Sequence, residues 1–505
     1  MRPGEVHLGN DALIVMGIYL LIMLGLGWLG RVRMRENSFR DFYLGGSSLG
    51  LTVLFLTLFA TQYSGNTLLG FAGRAYQEGG TYISSVTFMI LVITTFMVYA
   101  PRLFRLSRRY GYITPADFVF HRYGSHALRI CTVGLLCWGL ANYILEQLVA
   151  MGHAVVAISD GRIPFMAGVI LLVIVMLVYE SLGGMRSVAW TDVVQGSLLL
   201  VGLACIFYLL LTYQGGLTAA SAAIEAAEPA KLEVPGPEGL RTWASNLVLL
   251  GLGVAIYPHA IQRIFAARSL GVLRRSLALM AFMPLVTTLL AFLIGLVGLS
   301  RFPGLNNLES DRITIYVLTS LGESRVVHWM VIIVFSAVVA AIMSTADSAL
   351  LSLGSMFTKD IYQVYLRRGA SPGHYLLVGK LFGWGLMVVL VASAWLSVET
   401  QSSIWRLIRL KLEFMVQLSP AIMLGLFWRR LPAGPTLLGL TLGAVLTLII
   451  WVGWILRWWD TNLPWGVSAG VWGLSLNYGV CLVGALLVRE PVPTAAWRPA
   501  LRTED

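Results

Sequence analysis

The chain has 505 residues, of which 57% are hydrophobic and 12% are charged, and its formal net charge is +11. A soluble domain is on average about 45–50% apolar and about 25% charged. A globule of this length still exposes much of its side-chain area, so the composition excludes a cytosolic enzyme, a disordered chain and a secreted disulfide scaffold. It predicts an all-α polytopic membrane protein. The four cysteines lie in apolar runs without pairing or metal-ligand spacing, so we interpret them as small hydrophobic residues.

A helix needs about 20 apolar residues to cross the hydrocarbon core of a bilayer. By this measure the sequence predicts about thirteen transmembrane helices, at residues 11–30, 49–73, 80–101, 126–157, 163–181, 188–213, 242–262, 275–299, 325–354, 376–397, 404–428, 434–457 and 467–488. The first run is long enough to span and has no small-residue cleavage motif, so we expect a membrane helix there and not a cleaved signal peptide.

Arginine and lysine residues cluster in alternate loops of this predicted topology. They follow the first, third, seventh, ninth, eleventh and last spans, which places all of them on one side of the membrane. The positive-inside rule makes this side cytoplasmic. We therefore expect a multi-pass plasma (inner) membrane protein with its N-terminus outside and its C-terminus in the cytoplasm. Orientation accounts for the net charge, and we expect no nucleic-acid partner.

The second predicted span carries hydrogen-bonding side chains over residues 58–67, in the order Leu-Phe-Ala-Thr-Gln-Tyr-Ser-Gly-Asn-Thr. A continuous helix would turn several of them toward lipid, where polar groups without partners are costly. We therefore expect an interrupted helix that lines a cavity, with freed backbone carbonyls that offer the hard oxygen ligands suited to Na⁺. The alternative is a polar helix packed inside the bundle without a ligand.

Two acidic residues lie inside later spans. Glu146 occupies the fourth span, where ionisation is costly unless the carboxylate is paired. It favours a cationic or zwitterionic solute if it faces a pocket, and indicates nothing about the solute if it pairs with Arg263 or another buried base. Asp192 lies one turn inside the cytoplasmic edge of the sixth span, and is either a capping or snorkelling residue or part of a cation or proton pathway.

Pro258 interrupts the seventh predicted span, because proline removes a backbone hydrogen bond. The two interruptions are five helices apart, an odd offset that puts their segments in opposite orientations. Broken helices at matching positions of two inverted halves indicate the binding site of a transporter. The predicted organisation is an accessory segment 1–48, a first half 49–213, an extracellular loop 214–241, a second half 242–428, and two accessory helices with a short tail, 429–505.

The ninth span combines hydroxyl groups with a carboxylate at mid-depth. Ser344 and Thr345 are adjacent, and Ser348 lies one turn beyond Ser344 on the same face. Such hydroxyls often bond back to their own helix, but Asp347 makes back-bonding alone a weak explanation.

The eleventh span begins with arginines. Arg406 and Arg409 are followed by Glu413, one turn after Arg409. We interpret Arg409 and Glu413 as a structural ion pair at the outer rim and not as an anion site.

Four motifs resemble the sodium/solute symporter family, which includes proline, pantothenate, glucose, choline and monocarboxylate transporters. Residues 340–362, Ala-Ala-Ile-Met-Ser-Thr-Ala-Asp-Ser…Thr-Lys-Asp-Ile-Tyr, are similar to that family's eighth core helix. Residues 183–195 resemble the start of its fifth core helix, and residues 43–46 resemble the segment before its first core helix. Residues 417–428 resemble its tenth core helix. The resemblance implies a leucine-transporter-type five-plus-five inverted repeat with broken first and sixth core helices, and Na⁺-driven uptake of a small organic solute by alternating access.

In such proteins the main Na⁺ site joins backbone carbonyls of the first core helix to hydroxyls of the eighth. The resemblance assigns Na⁺ binding to the backbone carbonyls of Ala60, Tyr63 and Ala341 and to the side chains of Ser344 and Thr345. It also implies a second cation or proton site, because Asp192 matches an aspartate that serves a second cation in some members. The residues of this second site would be Asp192, Ser348 and Asp347.

The substrate pocket implied by the resemblance lies between the two broken helices and the third and tenth core helices. Its candidate residues are Gln62, Ser64, Thr67, Tyr143, Glu146, Gln147, Tyr257, His259, Gln262 and Gln417. The resemblance alone leaves the solute open among a monocarboxylate, a pantothenate-like acid and an amino acid.

The leading hypothesis is a Na⁺-coupled secondary active symporter, with Na⁺ and a small organic solute as its partners, no obligate protein partner and no enzymatic activity. A proton-coupled symporter of the same fold, with Asp192, Glu146 or His259 as proton carrier, is the alternative. We expect no membrane sensor, because no cytoplasmic domain follows Arg489. An intramembrane enzyme lacks an evident nucleophile with its base, and a channel lacks a repeated filter or a ring of carboxylates.

Overall fold

The computed structural model describes residues 8–33, 38–212, 216–320, 324–399, 404–459, 461 and 463–487. Over these ranges the regular structure is helical, apart from one isolated parallel pairing of Leu49 with Ala267. Twelve helices in this part of the chain are long and apolar enough to cross a membrane. The predicted all-α polytopic fold is therefore confirmed. The tail after residue 487, with Arg489, lies outside the described residues.

Ten α-helices lie in the described part of the chain up to residue 227. In chain order they are α1 (Gly9–Val32), α2 (Phe39–Leu44), α3 (Leu51–Gln62), α4 (Phe71–Glu78), α5 (Ser84–Tyr110), α6 (Pro115–Tyr123), α7 (His126–Ile158), α8 (Phe165–Gly183), α9 (Met185–Leu211) and α10 (Gly216–Ala227). The predicted span 49–73 is divided. Its first part forms α3, which is short for a span, and its last part begins a helical run, Thr67–Tyr110, that includes α4 and α5.

Twelve further α-helices follow in the described part of the chain. They are α11 (Pro237–Gly253), α12 (Pro258–Ala266), α13 (Leu270–Met280), α14 (Met283–Arg301), α15 (Asn307–Ser310), α16 (Ile313–Thr319), α17 (Arg325–Met356), α18 (Pro372–Glu399), α19 (Ile404–Met415), α20 (Gly425–Phe427), α21 (Ala433–Ile455) and α22 (Ala469–Leu487). A π-helical turn, Pro420–Leu424, leads into α20.

The first predicted interruption is present between α3 and α4. The backbone leaves the helix at Tyr63, which is extended (φ −101°, ψ 92°), and a wide π-helical turn over Asn66–Gly70 leads into α4. A Cβ atom at Gly65 would overlap the side chain of Ile342 on α17. Glycine therefore lets the backbone at the break pack close against α17.

The second interruption lies at Pro258, as predicted. Helix α11 ends at Gly253, a 3₁₀ turn covers Val254–Ile256, and Tyr257 has non-helical angles (φ −57°, ψ 127°). Pro258 is then the first residue of α12, a position where its missing N–H breaks no helical hydrogen bond.

Helix α17 lies at the centre of the bundle. Every residue from Val334 to Met356 is buried, and the helix packs against α3, α7, α9 and α12. A helix that is buried on all sides belongs to the core, whereas α1, α18 and α21 expose many large apolar side chains, as lipid-facing helices do. Both broken helices therefore pack against α17, and the site must be sought there.

One buried arginine stabilises the C-terminal end of α20, where helical carbonyl groups lack partners. The guanidinium of Arg122 donates hydrogen bonds to the carbonyl oxygens of Gly425 (3.0 Å), Trp428 (3.0 Å), Arg429 (2.9 Å) and Leu431 (3.2 Å). This contact ties α6 to the connection between α20 and α21.

Replacement of this arginine tests the contact. We expect Arg122→Met to lower the free energy of unfolding by roughly 2–3 kcal/mol, because buried carbonyls would lose charged donors. The measurement is the thermal midpoint of the purified protein in detergent. Arg122→Lys keeps the charge without the planar fork and should fall between the two proteins. An unchanged midpoint in Arg122→Met would contradict this role.

Candidate functional site

Two hydroxyl groups of α17 face the break in α3. Ser344 Oγ donates to the carbonyl oxygens of Ala60 (2.8 Å) and Ala341 (3.1 Å). Thr345 Oγ1 donates to the carbonyl oxygen of Ala341 (2.9 Å) and lies 3.5 Å from that of Thr61. All five residues are buried. Neutral oxygen atoms converge here at mid-helix, and oxygen ligands of this kind suit a hard monovalent cation such as Na⁺.

The break also releases a further carbonyl group. In a continuous helix the N–H of Thr67 would bond to the carbonyl oxygen of Tyr63, four residues earlier. Here it bonds to the carbonyl oxygen of Ser64 instead, at 2.9 Å. The carbonyl of Tyr63 is thereby freed from this helical bond, three residues after Ala60, where a ligand was predicted.

A buried arginine of α12 contacts α17 one turn beyond Ser344, at Ser348. Arg263 of α12 is fully buried, and its Nη2 atom is 2.9 Å from Asp192 Oδ2 and also contacts Ser348 Oγ. Its Nε atom donates to Thr57 Oγ1 at 2.8 Å, and Thr57 in turn donates to Asp192. The guanidinium therefore supplies the positive charge beside Asp192, where a second cation was predicted.

Asp347 has a different set of partners. It accepts hydrogen bonds from Tyr179 of α8 (2.6 Å) and from Ser348 (3.1 Å). In the part of the chain that the structure describes, no lysine or arginine lies within ion-pair distance of it. The structure thus brings Asp192, Ser348 and Asp347 into one buried network, with Arg263 at its centre.

A cavity lies beside the first break, between α4, α5, α7, α11 and α19. Its lining residues are Gln62, Ser64, Thr67, Phe71, Met89, Tyr143, Leu250, Val254, Tyr257, Ile408, Lys411 and Leu412. Half of the predicted substrate residues are in this lining, namely Gln62, Ser64, Thr67, Tyr143 and Tyr257. The wall is mostly apolar, with the polar groups concentrated at the break.

His259 and Gln147 are not in this lining. The His259 ring stacks on that of Tyr143, with centroids 5.5 Å apart. Both residues are fully buried, and neither the ring nitrogens of His259 nor the amide of Gln147 has a hydrogen-bond partner among the described residues. His259 therefore supports the lining through its contact with Tyr143.

Two predicted substrate residues are placed away from the cavity. Gln262 exchanges hydrogen bonds with Ser352 (2.6 Å) and Ser355 (2.5 Å) of α17. Gln417 donates to the carbonyl oxygen of Gly470 on α22 at 2.8 Å. Both amides therefore form hydrogen bonds between helices, and neither residue lines the cavity.

Sequence reasoning missed Lys411, which lines the cavity. Its Nζ atom is 2.6 Å from Glu146 Oε2 and 3.6 Å from the ring centroid of Tyr143, and the two charged side chains are 1% and 0% exposed. Glu146 therefore pairs with a buried base, which is Lys411 and not Arg263. A lysine within a predicted span is as costly as a glutamate there, and this shared cost was the available signal.

A second ion pair on α19 lies outside the cavity. Arg409 and Glu413 are 2.9 Å apart, and the indole of Trp451 on α21 also donates to Glu413. The side chain of Arg406 lies outside the described residues. The observed pair agrees with the structural role predicted for Arg409 and Glu413.

The chain was compared with known proteins. The family model of the "Sodium:solute symporter family" matches residues 42–443. The chain is 27% identical to the osmoregulated proline transporter OpuE of Bacillus subtilis over 485 residues, covering 95% of this chain and 94% of that protein. It is 28% identical to the high-affinity proline transporter PutP of the same organism over 424 residues, covering 83% and 87%.

A solved structure supports the fold. The substrate-bound, outward-open state of a Na⁺-coupled sialic acid symporter superposes with a TM-score of 0.77 and 20% sequence identity, covering 95% of this chain and 99% of that one. The predicted leucine-transporter-type architecture with two broken core helices is confirmed. At this identity the likeness concerns the fold alone.

The network around Arg263 predicts a stability effect. Arg263→Met would leave the buried carboxylate of Asp192 without its cation, and we expect a loss of about 3–5 kcal/mol. The double variant Arg263→Met/Asp192→Asn removes both charges and should regain most of the loss. Thermal midpoints of the purified variants measure both effects.

A peripheral ion pair provides the control for this cycle. Arg186 and Asp41 are 2.6 Å apart, with side chains 15% and 5% exposed, so they keep more access to water. Arg186→Met should therefore lower the midpoint less than Arg263→Met. A double variant no more stable than Arg263→Met alone would argue against the pairing.

Proposed function

Because this chain belongs to the sodium:solute symporter family, we propose that it is a secondary active symporter that imports a small organic solute together with Na⁺ by alternating access. Family membership makes the chain a transporter and not an enzyme. Its twelve candidate spans make it a multi-pass membrane protein. The shorter apolar helix Leu51–Gln62 would, together with α4, form a thirteenth crossing, and an odd number of crossings puts the two termini on opposite sides.

One observation carries the proposal: hydroxyl groups of α17 meet carbonyl groups of the broken helix at buried positions. Ser344, Thr345 and the carbonyls of Ala60, Tyr63 and Ala341 would hold the Na⁺ ion. This set contains no carboxylate, so the ion would be bound by neutral oxygens and released readily. Asp192 is neutralised by Arg263, which favours Na⁺ over a proton as the coupling ion at this site.

The solute would bind in the cavity beside the break, within reach of the same helix ends. Two of the named relatives are proline transporters. A small amino acid such as proline is therefore the first solute to test, before a monocarboxylate or a pantothenate-like acid. The shared break in α3 would couple solute binding to Na⁺ binding, because both ligands would order the same non-helical residues.

The orientation is proposed from loop charge, with the N-terminus outside and the C-terminus in the cytoplasm. Glu233 then lies outside the cell, and Arg368 lies inside; both side chains are exposed.

Cysteine labelling tests this orientation in intact cells. We expect a membrane-impermeant maleimide to label Glu233→Cys at once and to label Arg368→Cys only after permeabilisation. The four native cysteines, Cys131, Cys137, Cys205 and Cys481, are free but lie within helices, and the wild-type chain measures their background. The reversed pattern would refute the orientation.

Uptake into proteoliposomes tests the Na⁺ site. We expect Ser344→Ala or Thr345→Ala to raise the Na⁺ concentration for half-maximal proline uptake about 5- to 30-fold, since loss of a hydrogen-bonding ligand costs about 1–2 kcal/mol. If proline is not carried, Na⁺-dependent thermal stabilisation of the purified protein replaces the uptake assay.

A hydroxyl on the same helix serves as the control. Ser336 is buried two turns before Ser344, and its hydroxyl donates only back to the carbonyl of Ile332 at 2.9 Å. Ser336→Ala should keep the wild-type Na⁺ dependence. The absence of both Na⁺-driven uptake and a Na⁺-dependent thermal shift in the wild-type protein would overturn the proposal.

A further inference from the structure

We propose that a groove between α5 and α13 binds an anionic phospholipid at the end of the bundle that loop charge assigns to the cytoplasm. The lipid phosphate would be held by Arg102, Arg105 and Arg274, with an acyl chain against Met97 and Val98. This site lies outside both the oxygen cluster at the first break and the cavity beside it, and it does not depend on which solute is carried.

The groove has a volume of about 450 Å³. Met97, Val98, Arg102 and Arg105 of α5 line it, and Arg274 of α13 lines the opposite side. In a helix with 3.6 residues per turn, positions 97, 98, 102 and 105 fall on one face. One face of α5 therefore meets α13 across an open space, and a single ligand in that space can contact both helices.

Apolar and charged side chains follow one another along this face in the order that a phospholipid requires. Met97 and Val98 are 45% and 59% exposed on the outside of the bundle. The arginines come later, toward the end of α5 at Tyr110. At a rise of 1.5 Å per residue, Arg105 lies about 12 Å beyond Met97 along the helix axis. The apolar end of the groove thus lies deeper in the membrane, and the charged end lies at its interface.

The three arginines around the groove have no counter-charge in the part of the chain that the structure describes. No carboxylate there lies within ion-pair distance of Arg102, Arg105 or Arg274. Arg105 and Arg274 are exposed, and the guanidinium of Arg102 stands over the ring of Phe427 at 4.2 Å. Guanidinium groups bind phosphate oxygens through paired hydrogen bonds, and basic pockets between membrane helices bind anionic headgroups. A phosphate that carries acyl chains fits both ends of the groove.

The next arginine along α5 has a different role. Arg108 donates to the carbonyl oxygens of Ser47 (2.9 Å) and Arg268 (2.9 Å), and it also contacts that of Ala267. These bonds hold the segment before α13 against α5. Because α5 lies in the first predicted half of the chain and α13 in the second, a lipid in the groove would add a further link between the two halves.

Lipid titration of the purified protein tests the site. The full-length protein is stripped of lipid in a neutral detergent, and its thermal midpoint is measured in choline chloride, so that no Na⁺ is present. Dioleoylphosphatidylglycerol is compared with dioleoylphosphatidylcholine, inorganic phosphate and glycerol 3-phosphate. We expect only phosphatidylglycerol to raise the midpoint, because it alone combines a net negative headgroup with acyl chains and because a ligand of the folded state stabilises it.

A charge variant and its matched control locate the site. Arg105→Gln/Arg274→Gln removes two charges at exposed positions, so the midpoint without lipid should not change. We expect the phosphatidylglycerol concentration for half-maximal stabilisation to rise about 30-fold, since each arginine near a membrane surface adds to the attraction for anionic lipid. Arg367→Gln/Arg368→Gln removes two exposed arginines of the same membrane side outside the groove, and it should keep the wild-type response.

Several outcomes would overturn the inference. Equal weakening in the double variant and in the control would mean diffuse attraction to a basic surface. An equal response to phosphatidylcholine would mean that headgroup charge is not recognised, and an equal response to inorganic phosphate or glycerol 3-phosphate would mean that a free anion is bound. No response to any lipid would also refute the site. Since neither Na⁺ nor solute is present, all of these outcomes leave the proposed symport function standing.

Discussion

The buried guanidinium of Arg263 holds the centre of this bundle together. It follows the second helix break on α12 and binds Thr57 on α3, Asp192 on α9 and Ser348 on α17. A charge leaves water only if it is paired and hydrogen-bonded, so this one side chain fixes how four helices approach one another. Ala60 lies three residues after Thr57, and Ser344 lies one turn before Ser348. The hydrogen bond from Ser344 to the carbonyl of Ala60 follows from this register.

The same constraint separates charge compensation from ion binding. Asp192 and Glu146 each have a base beside them, Arg263 and Lys411 respectively. The oxygen cluster at the break contains no carboxylate, and a cation bound there would be held by neutral oxygens.

The two breaks themselves follow from local chemistry, and they were predictable. Proline cannot continue a helix from within, and a run of polar side chains cannot face lipid on all sides. Hence Pro258 and the segment 58–67 marked the interruptions, and the hydroxyls of Ser344 and Thr345 marked the helix that faces them. The resemblance to known symporter motifs added the pairing of these elements, which local patterns alone do not contain.

The sequence by itself determined the membrane architecture, the positions of both breaks and the polar face of α17, since each depends on residues that are neighbours along the chain. Only the tertiary structure decided the ion pairs. Glu146 had several possible partners, Lys411 went unnoticed, and Gln262 and Gln417 turned out to face other helices. Contacts between residues hundreds of positions apart depend on how helices pack and rotate, and composition and periodicity within one helix do not specify that rotation.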